Sequence, residues 1–360
     1  MTTRYLALIL IFIALQGSTC LDNKNVLQVN IYEMADAAFM KCNPYLQTAA
    51  DHDCLLISNP QKRILRVFDA TENQFILSPI GYSSLAVPVG STPTSISTSK
   101  NKTFVLDVIN ADIYSIETKN QNGQAAFRKT DVTKAFKVPT GANRIFLTSS
   151  SELLIQVGAN QIYRTNNQLT AWFTSSSTIN HIAIDPQLKQ LAIGTDTGFL
   201  LVDVASTAPT KVDVGGAIQR VAIGDNFALA LMRDTNAVVV IQNNNIVGKA
   251  TVSGRPLAAY IPQGNEDERN TSPANNKNPW AAILTASGDL QYIDLVTMKA
   301  TDPASVSSKV VGVAGNSLGY PIKILGATID NKRKMFLVYS RFIGSLIEGE
   351  TEKIDLVALH

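Results

Sequence analysis

The chain reads as an all-β, seven-bladed β-propeller, and three observations predict it. Short runs carry apolar residues at two-residue spacing, the signature of strands half or wholly buried on a sheet. Asp-Pro, Asn-Pro and Asp-Thr-Gly clusters punctuate the runs where tight turns are needed. The resulting four-strand unit recurs at about 40 residues, the period of propeller blades. The clearest unit spans 179–214: Ile182 and Ile184, Leu191 and Ile193, Phe199 and Leu201, then Val212 and Val214 alternate with polar residues, and Asp185-Pro186 and Asp196-Thr197-Gly198 mark turns.

Taken in order, the chain begins with an export signal over residues 1–19. Met1-Thr2-Thr3-Arg4 is a short basic segment, Tyr5 to Leu15 is almost unbroken apolar sequence, and Gln16-Gly17-Ser18-Thr19 supplies small and polar residues before Cys20. The apolar run falls short of the roughly 20 residues a spanning helix needs. Residues 20–53 read as an N-terminal extension. Val26 to Ile31 has strand character, whereas Tyr32 to Met40, with Met34, Ala35, Ala38 and Phe39 at three- and four-residue spacing, predicts a short amphipathic helix. Cys42 and Cys54, with eleven residues between them, form an even pair once Cys20 is set aside. In an oxidising compartment they read as one disulfide, which on the chain-entropy model contributes about 3 kcal/mol.

The propeller is expected over residues 54–360. Its first unit holds Cys54–Ser58, Ile64–Phe68 and Phe75–Leu77 and lacks an inner strand, which either Val26–Ile31 or the C-terminal Lys353–Leu359 is expected to supply so that no ladder stays open. The second has Pro93–Ile96, Thr103–Leu106 and Asp112–Ile116, with a poorly marked outer strand before Lys137. The third runs from Arg144–Leu147 through Glu152–Gln156 and Gln161–Tyr163 to Ala171–Phe173, and the fourth is the unit described above. The fifth comprises Ile218–Ile223, Phe227–Leu231, Ala237–Ile241 and Ile246–Val252. The sixth starts at Pro256–Tyr260, is interrupted by a polar stretch over Gly264–Pro279, and resumes at Trp280–Leu284, Leu290–Asp294 and Lys299. The seventh holds Ile322–Ile329, Met335–Tyr339, Gly344–Ile347 and Lys353–Leu359. Six or eight units remain compatible with the weaker repeats.

Within the second unit, Gly90-Ser91-Thr92-Pro93 opens a strand and Phe104-Val105-Leu106-Asp107 follows the next turn. This rhythm resembles the YVTN-type and NHL-like propeller repeats, with Phe104–Asp107 in the place of the Tyr-Val-Thr-Asn of that motif. The resemblance implies a propeller and no particular activity. At the N-terminus, Cys20 after a hydrophobic run resembles a bacterial lipobox, which implies lipidation of the cysteine sulfur and a lipoprotein of the cell envelope. Gly17 and Thr19 stand where that pattern prefers Leu and Gly or Ala, and ordinary signal-peptide cleavage near Ser18 to Cys20 is the alternative.

Composition removes some functions. The 31 basic and 29 acidic residues nearly cancel to a net charge of +2, so no nucleic-acid footprint or polybasic membrane patch is expected. Contact with a membrane is expected only through a lipid anchor. No haem-attachment, zinc-protease or Walker motif occurs, and no cofactor is called for. Histidine is limited to His52, His181 and His360. His181 opens an inner strand and is the candidate channel residue. Asp51-His52-Asp53 has ligand types for a metal, but neighbours on an extended segment point to opposite faces. Asp185, Asp203, Asp225, Asp234, Asp294 and Asp330 fall at turns, where carboxylates accept backbone hydrogen bonds. Asn101-Lys102-Thr103 and Asn270-Thr271-Ser272 fit glycosylation acceptors. The reading is a non-catalytic, exported propeller, a lipoprotein that is periplasmic or at the outer membrane and cell surface, or alternatively a secreted protein, that serves as a platform for a protein or glycan partner. A metal-dependent hydrolase or lactonase using His181 in the channel is the alternative.

Overall fold

The computed structural model describes residues 34–42, 52–78, 81–84, 86–98, 102–117, 132–166, 168–206, 208–224, 226–263, 278–306, 320–350 and 354–358. Among them are strands and turns and no helix. The signal segment, Cys20, Val26–Ile31, Asp51, Asn101, Asp225, Asn270, most of the polar stretch after Gly264, and His360 lie outside the described residues.

Seven antiparallel blade sheets follow one another along the described residues, over 37–88, 93–137, 142–174, 179–212, 218–251, 256–305 and 321–358, and a separate two-stranded sheet of Leu77–Ser78 and Gly81–Ser84 lies within the first span. From the second sheet onward four strands pair in chain order, as a meander dictates. In the fourth blade the strands are Ile179–Ile184, Gln190–Thr195, Gly198–Asp203 and Pro209–Val212. The weakly marked outer strand of the second blade is Val132–Lys137, and that of the sixth is reduced to Ala304–Ser305.

Each blade is buried on both faces, which explains the near-continuous apolar runs of its second strands. Leu153–Val157 and Trp280–Thr285 are buried at every position. Successive residues point to opposite neighbours: Leu55 and Ile57 pack toward the seventh blade, Cys54 and Leu56 toward the second. Seven apolar clusters result, one at each junction between adjacent blades. A fully buried aliphatic side chain contributes about 2 kcal/mol relative to an exposed one, so these junctions supply the main cohesion of the ring.

The first blade corrects two expectations. Residues 37–40, read as the end of a helix spanning Tyr32 to Met40, belong to the strand Ala37–Cys42, which pairs with His52–Asn59 as the blade's own inner strand. Ala38 and Met40 face the second blade while Met34, Ala37 and Phe39 face the seventh. A strand apolar on both sides has no alternation, so three- and four-residue spacings arise in it by accident. The missing strand therefore comes from neither expected source. Asp355–Ala358 stays with its own blade, pairing with Phe342–Ile347. The ring closes through side chains: Met34, Leu55, Ile57 and Phe68 interlock with Ile329, Phe336, Val338 and Ile343, and Phe336 meets Phe39 and Phe68 edge-on at ring-centroid distances of 5.3 and 6.3 Å.

Candidate functional site

One irregularity repeats in every blade. Six inner strands shift register by one residue near their start, between Pro93 and Ser95, Ala142 and Arg144, Ile179 and His181, Ile218 and Arg220, Pro256 and Ala258, and Pro321 and Lys323. In the first blade Ala35 bonds to Ser58 while Ala37 pairs with Ile57, so Asp36 is the extra residue. An inserted residue twists the strand and re-aims the side chains around it. Six of the seven bulges set polar side chains in a belt around the ring axis, and the sixth blade contributes the apolar Leu257 and Ala258.

The belt is tied together by bonds between blades. Asp36 accepts through Oδ1 from Lys323 Nζ at 3.0 Å and from the Ala37 N–H at 2.8 Å, and through Oδ2 from the Ile96 N–H at 2.9 Å. Lys323 also donates to the Ala37 carbonyl at 2.9 Å. Ser95 accepts from Ile145 N–H at 3.2 Å, and Asn180 donates to the Ile218 carbonyl at 2.9 Å. Arg220 in the fifth blade reaches past the sixth to donate to the Ile322 carbonyl of the seventh. The sixth blade has only Ala258 at the corresponding register position, which is too short to obstruct that reach.

His181 takes its expected place on this belt and stays half-buried. Its Nδ1 accepts the Val221 N–H at 3.4 Å, which leaves the ring proton on Nε2. Burial first, then the charges of Arg144, Arg220 and Lys323, hold its pKa well below the ordinary histidine range. The imidazole is therefore neutral at physiological pH. Burial and the Arg220 charge, partly offset by Asp36, bring Arg144 down to about 10, so it remains a cation. Arg144 Nη1 is buried without a hydrogen-bond partner, as are Asn143 Oδ1, Gln219 Oε1 and Thr94 Oγ1 at three of the bulges.

The sequence pointed to His181 alone; Asp36, Arg144, Arg220 and Lys323 join it only in the fold. A signal for them exists, because the bulge writes a repeating pattern: Asn143-Arg144-Ile145, Asn180-His181-Ile182, Gln219-Arg220-Val221, Ile322-Lys323-Ile324 and Thr94-Ser95-Ile96 each place a polar residue before an apolar one.

The other sequence candidates have ordinary roles. His52 pairs through Nδ1 with the buried Asp69 at 2.8 Å. Asp185 accepts the backbone N–H groups of Gln187, Lys189 and Gln190. Asp203 accepts that of Ala205, and Asp294 those of Val296 and Thr297. Among the described residues no group of three His, Cys, Asp or Glu side chains is arranged to hold a metal ion. A cavity of about 290 Å³ lies at the periphery between the seventh and first blades, lined by Asn73, Asp330, Lys332, Lys334 and Ser345 among others.

No protein-family model matches the chain, and no characterised protein matches it by sequence. Similarity appears among solved structures. Streptogramin B lyase superposes with a TM-score of 0.53 at 13% identity, covering 74% of this chain and 83% of that one. Kluyveromyces lactis Hsv2 gives 0.56 at 11% identity, covering 91% and 99%. The dihydro-heme d1 dehydrogenase NirN gives 0.55 at 9% identity, covering 85% of this chain and 63% of that one. At these identities the likeness concerns fold, and the chain is an all-β, seven-bladed β-propeller similar in architecture to all three.

Proposed function

We propose that the protein is a binding propeller, an exported interaction platform for a protein or glycan partner in the cell envelope. The observation that carries this reading is the company around His181: Arg144, Arg220 and Lys323 act on it as cations, while the nearby Asp36 carboxylate is engaged by Lys323 and two backbone N–H groups. A divalent metal at His181 would sit among like charges, which disfavours the metal-dependent hydrolase reading. Rigid blades carrying variable loops suit recognition. The test is capture from the native envelope fraction on the immobilised mature chain. Retention of a protein or glycan that excess free chain displaces is expected, and a fraction that passes through unretained would sink the proposal.

Export and anchoring belong to the same reading. Cys20 is proposed to carry the lipid, and mass spectrometry of the mature N-terminus decides. An acylated Cys20 is expected, and a mature chain starting elsewhere rules the anchor out. Cys54 is proposed to cross-link to Cys42. The register supports this pairing, since it sets Cys42 opposite His52, two rungs along from the Cys54–Met40 pair. Non-reducing peptide mapping should recover the two cysteines in one linked fragment.

A further inference from the structure

We infer that the bulge belt binds an oxyanion, a carboxylate or phosphate group, held chiefly by Arg144. The inference deepens the binding-platform reading by naming the chemistry of the group that the axis of the ring accepts.

The argument starts from charge. Arg144, Arg220 and Lys323 come from the third, fifth and seventh blades, and all three act on one imidazole. Arg144 and Arg220 also disfavour each other's charged form. The carboxylate acting on Arg144 is that of Asp36, and Asp36 is already held by Lys323, Ala37 and Ile96. His181 is neutral and offers no further charge. Like cations gathered in a half-enclosed space repel strongly because water screens them poorly. An anion among them turns that repulsion into attraction.

Hydrogen bonding points the same way by an independent route. Arg144 Nη1 is buried and has no partner, and buried polar groups in native proteins are nearly always paired with protein, water or ligand. A guanidinium presents its donors in a planar fork that suits the two oxygens of a carboxylate or phosphate. The Asn180 amide and Arg220 are committed to the Ile218 and Ile322 carbonyls, so the belt is stiffened around an Arg144 that is left over. Arg144, Arg220, Lys323 and His181 all keep part of their surface open to solvent, so a small ligand can reach them.

The test is a thermal-shift titration of the full mature chain. Inorganic phosphate and glucuronate are the two oxyanion probes, with sodium chloride at matched ionic strength and neutral glucose as controls. A ligand that binds only the folded state raises Tm with concentration, and a rise of about 2 °C or more above the chloride control is expected for at least one oxyanion. A response to phosphate alone identifies a free or esterified phosphate as the group, and a response to glucuronate alone identifies an acidic sugar. Arg144→Met should abolish the response. In anion-free buffer it should melt no lower than the parent chain, because it removes an unpartnered buried donor. Arg144→Lys, which keeps the charge and loses the fork, should respond at least tenfold more weakly. The inference is overturned if neither oxyanion exceeds the chloride control, or if Arg144→Met responds like the parent chain. Envelope capture tests the platform reading separately, so either idea can fail alone.

Discussion

Lys323 in the seventh blade donates to the Asp36 carboxylate of the first at 3.0 Å, bridging the seam where the two ends of the ring meet. The same carboxylate accepts the Ile96 N–H of the second blade at 2.9 Å, so one side chain joins three blades. Asp36→Ala strips a partner from a lysine and two backbone N–H groups, and should lower unfolding free energy by about 2–3 kcal/mol. Lys323→Met should cost less, about 1 kcal/mol or below, because the lysine side chain is 39% exposed and its ion pair is screened. Urea denaturation of both variants checks the order. Equal losses would show that the ion pair, rather than the backbone bonds, dominates the seam.

A second junction is fixed by close approach. Tyr260 donates to Glu348 Oε1 at 2.8 Å between the sixth and seventh blades, and Arg333 pairs with Glu348 Oε2 at 2.6 Å. The tyrosine passes over Gly326, where a Cβ would lie 1.9 Å from its hydroxyl oxygen. Gly326→Ala must push Tyr260 off Glu348, at an expected cost of about 2–4 kcal/mol. In a Tyr260→Ala background the same substitution should cost far less. A double-mutant cycle by chemical denaturation measures the coupling, and additive effects would refute the contact.

Glu348 also predicts a pH dependence. Its desolvation outweighs the help of Arg333 and Tyr260 and raises its pKa above the ordinary 4.5. A carboxyl with a raised folded-state pKa binds its proton more tightly in the fold than in the unfolded chain. Its contribution is complete below the unfolded pKa and is lost as pH rises through the folded one. Glu152 and Asp196 act in the opposite sense: hydrogen bonds from Arg164 and Asn180 respectively lower their pKa values, so their stabilisation is lost on acidification. Glu348→Gln should therefore flatten the decline above pH 4.5 and leave the acid limb unchanged. Denaturation midpoints from pH 3 to 8 decide, and parallel profiles for the two chains would contradict the assignment.

His181 should not titrate in its usual range. Burial and three neighbouring cations keep it neutral, with the proton on Nε2 because Nδ1 accepts the Val221 N–H. In a histidine NMR titration its ring signals should stay constant between pH 7.5 and 5.5. An inflection near 6.5 would mean that the cations lie farther away than the structure places them.

The turn before the second blade gives the Gly-x-x-Pro rhythm a physical meaning. Asp107 accepts the N–H groups of Ser91 and Thr92 at 2.7 and 3.0 Å, and the chain folds over it through Gly90 at φ +58, where a Cβ would come within 2.4 Å of the carboxylate. Gly90→Ala combines a disfavoured backbone with a clash and should cost about 1–3 kcal/mol in denaturant melts.

The period of the apolar pattern was enough to establish strands and their meander order, and it predicted seven blades with six or eight still compatible, because each strand is a local consequence of residues a few positions apart. His181 was legible for the same reason, as a polar residue opening a periodic strand. The inner strand Ala37–Cys42 was not, since burial on both faces erases the alternation that distinguishes strand from helix. Nor was the grouping of Asp36, Arg144, His181, Arg220 and Lys323. Those residues are separated by tens to hundreds of positions, and only closure of the ring brings their bulges to one axis. The sequence by itself determined a blade and its repetition. The tertiary structure decided what the blades enclose, because charge repulsion and unpaired donors exist only once the side chains share a space.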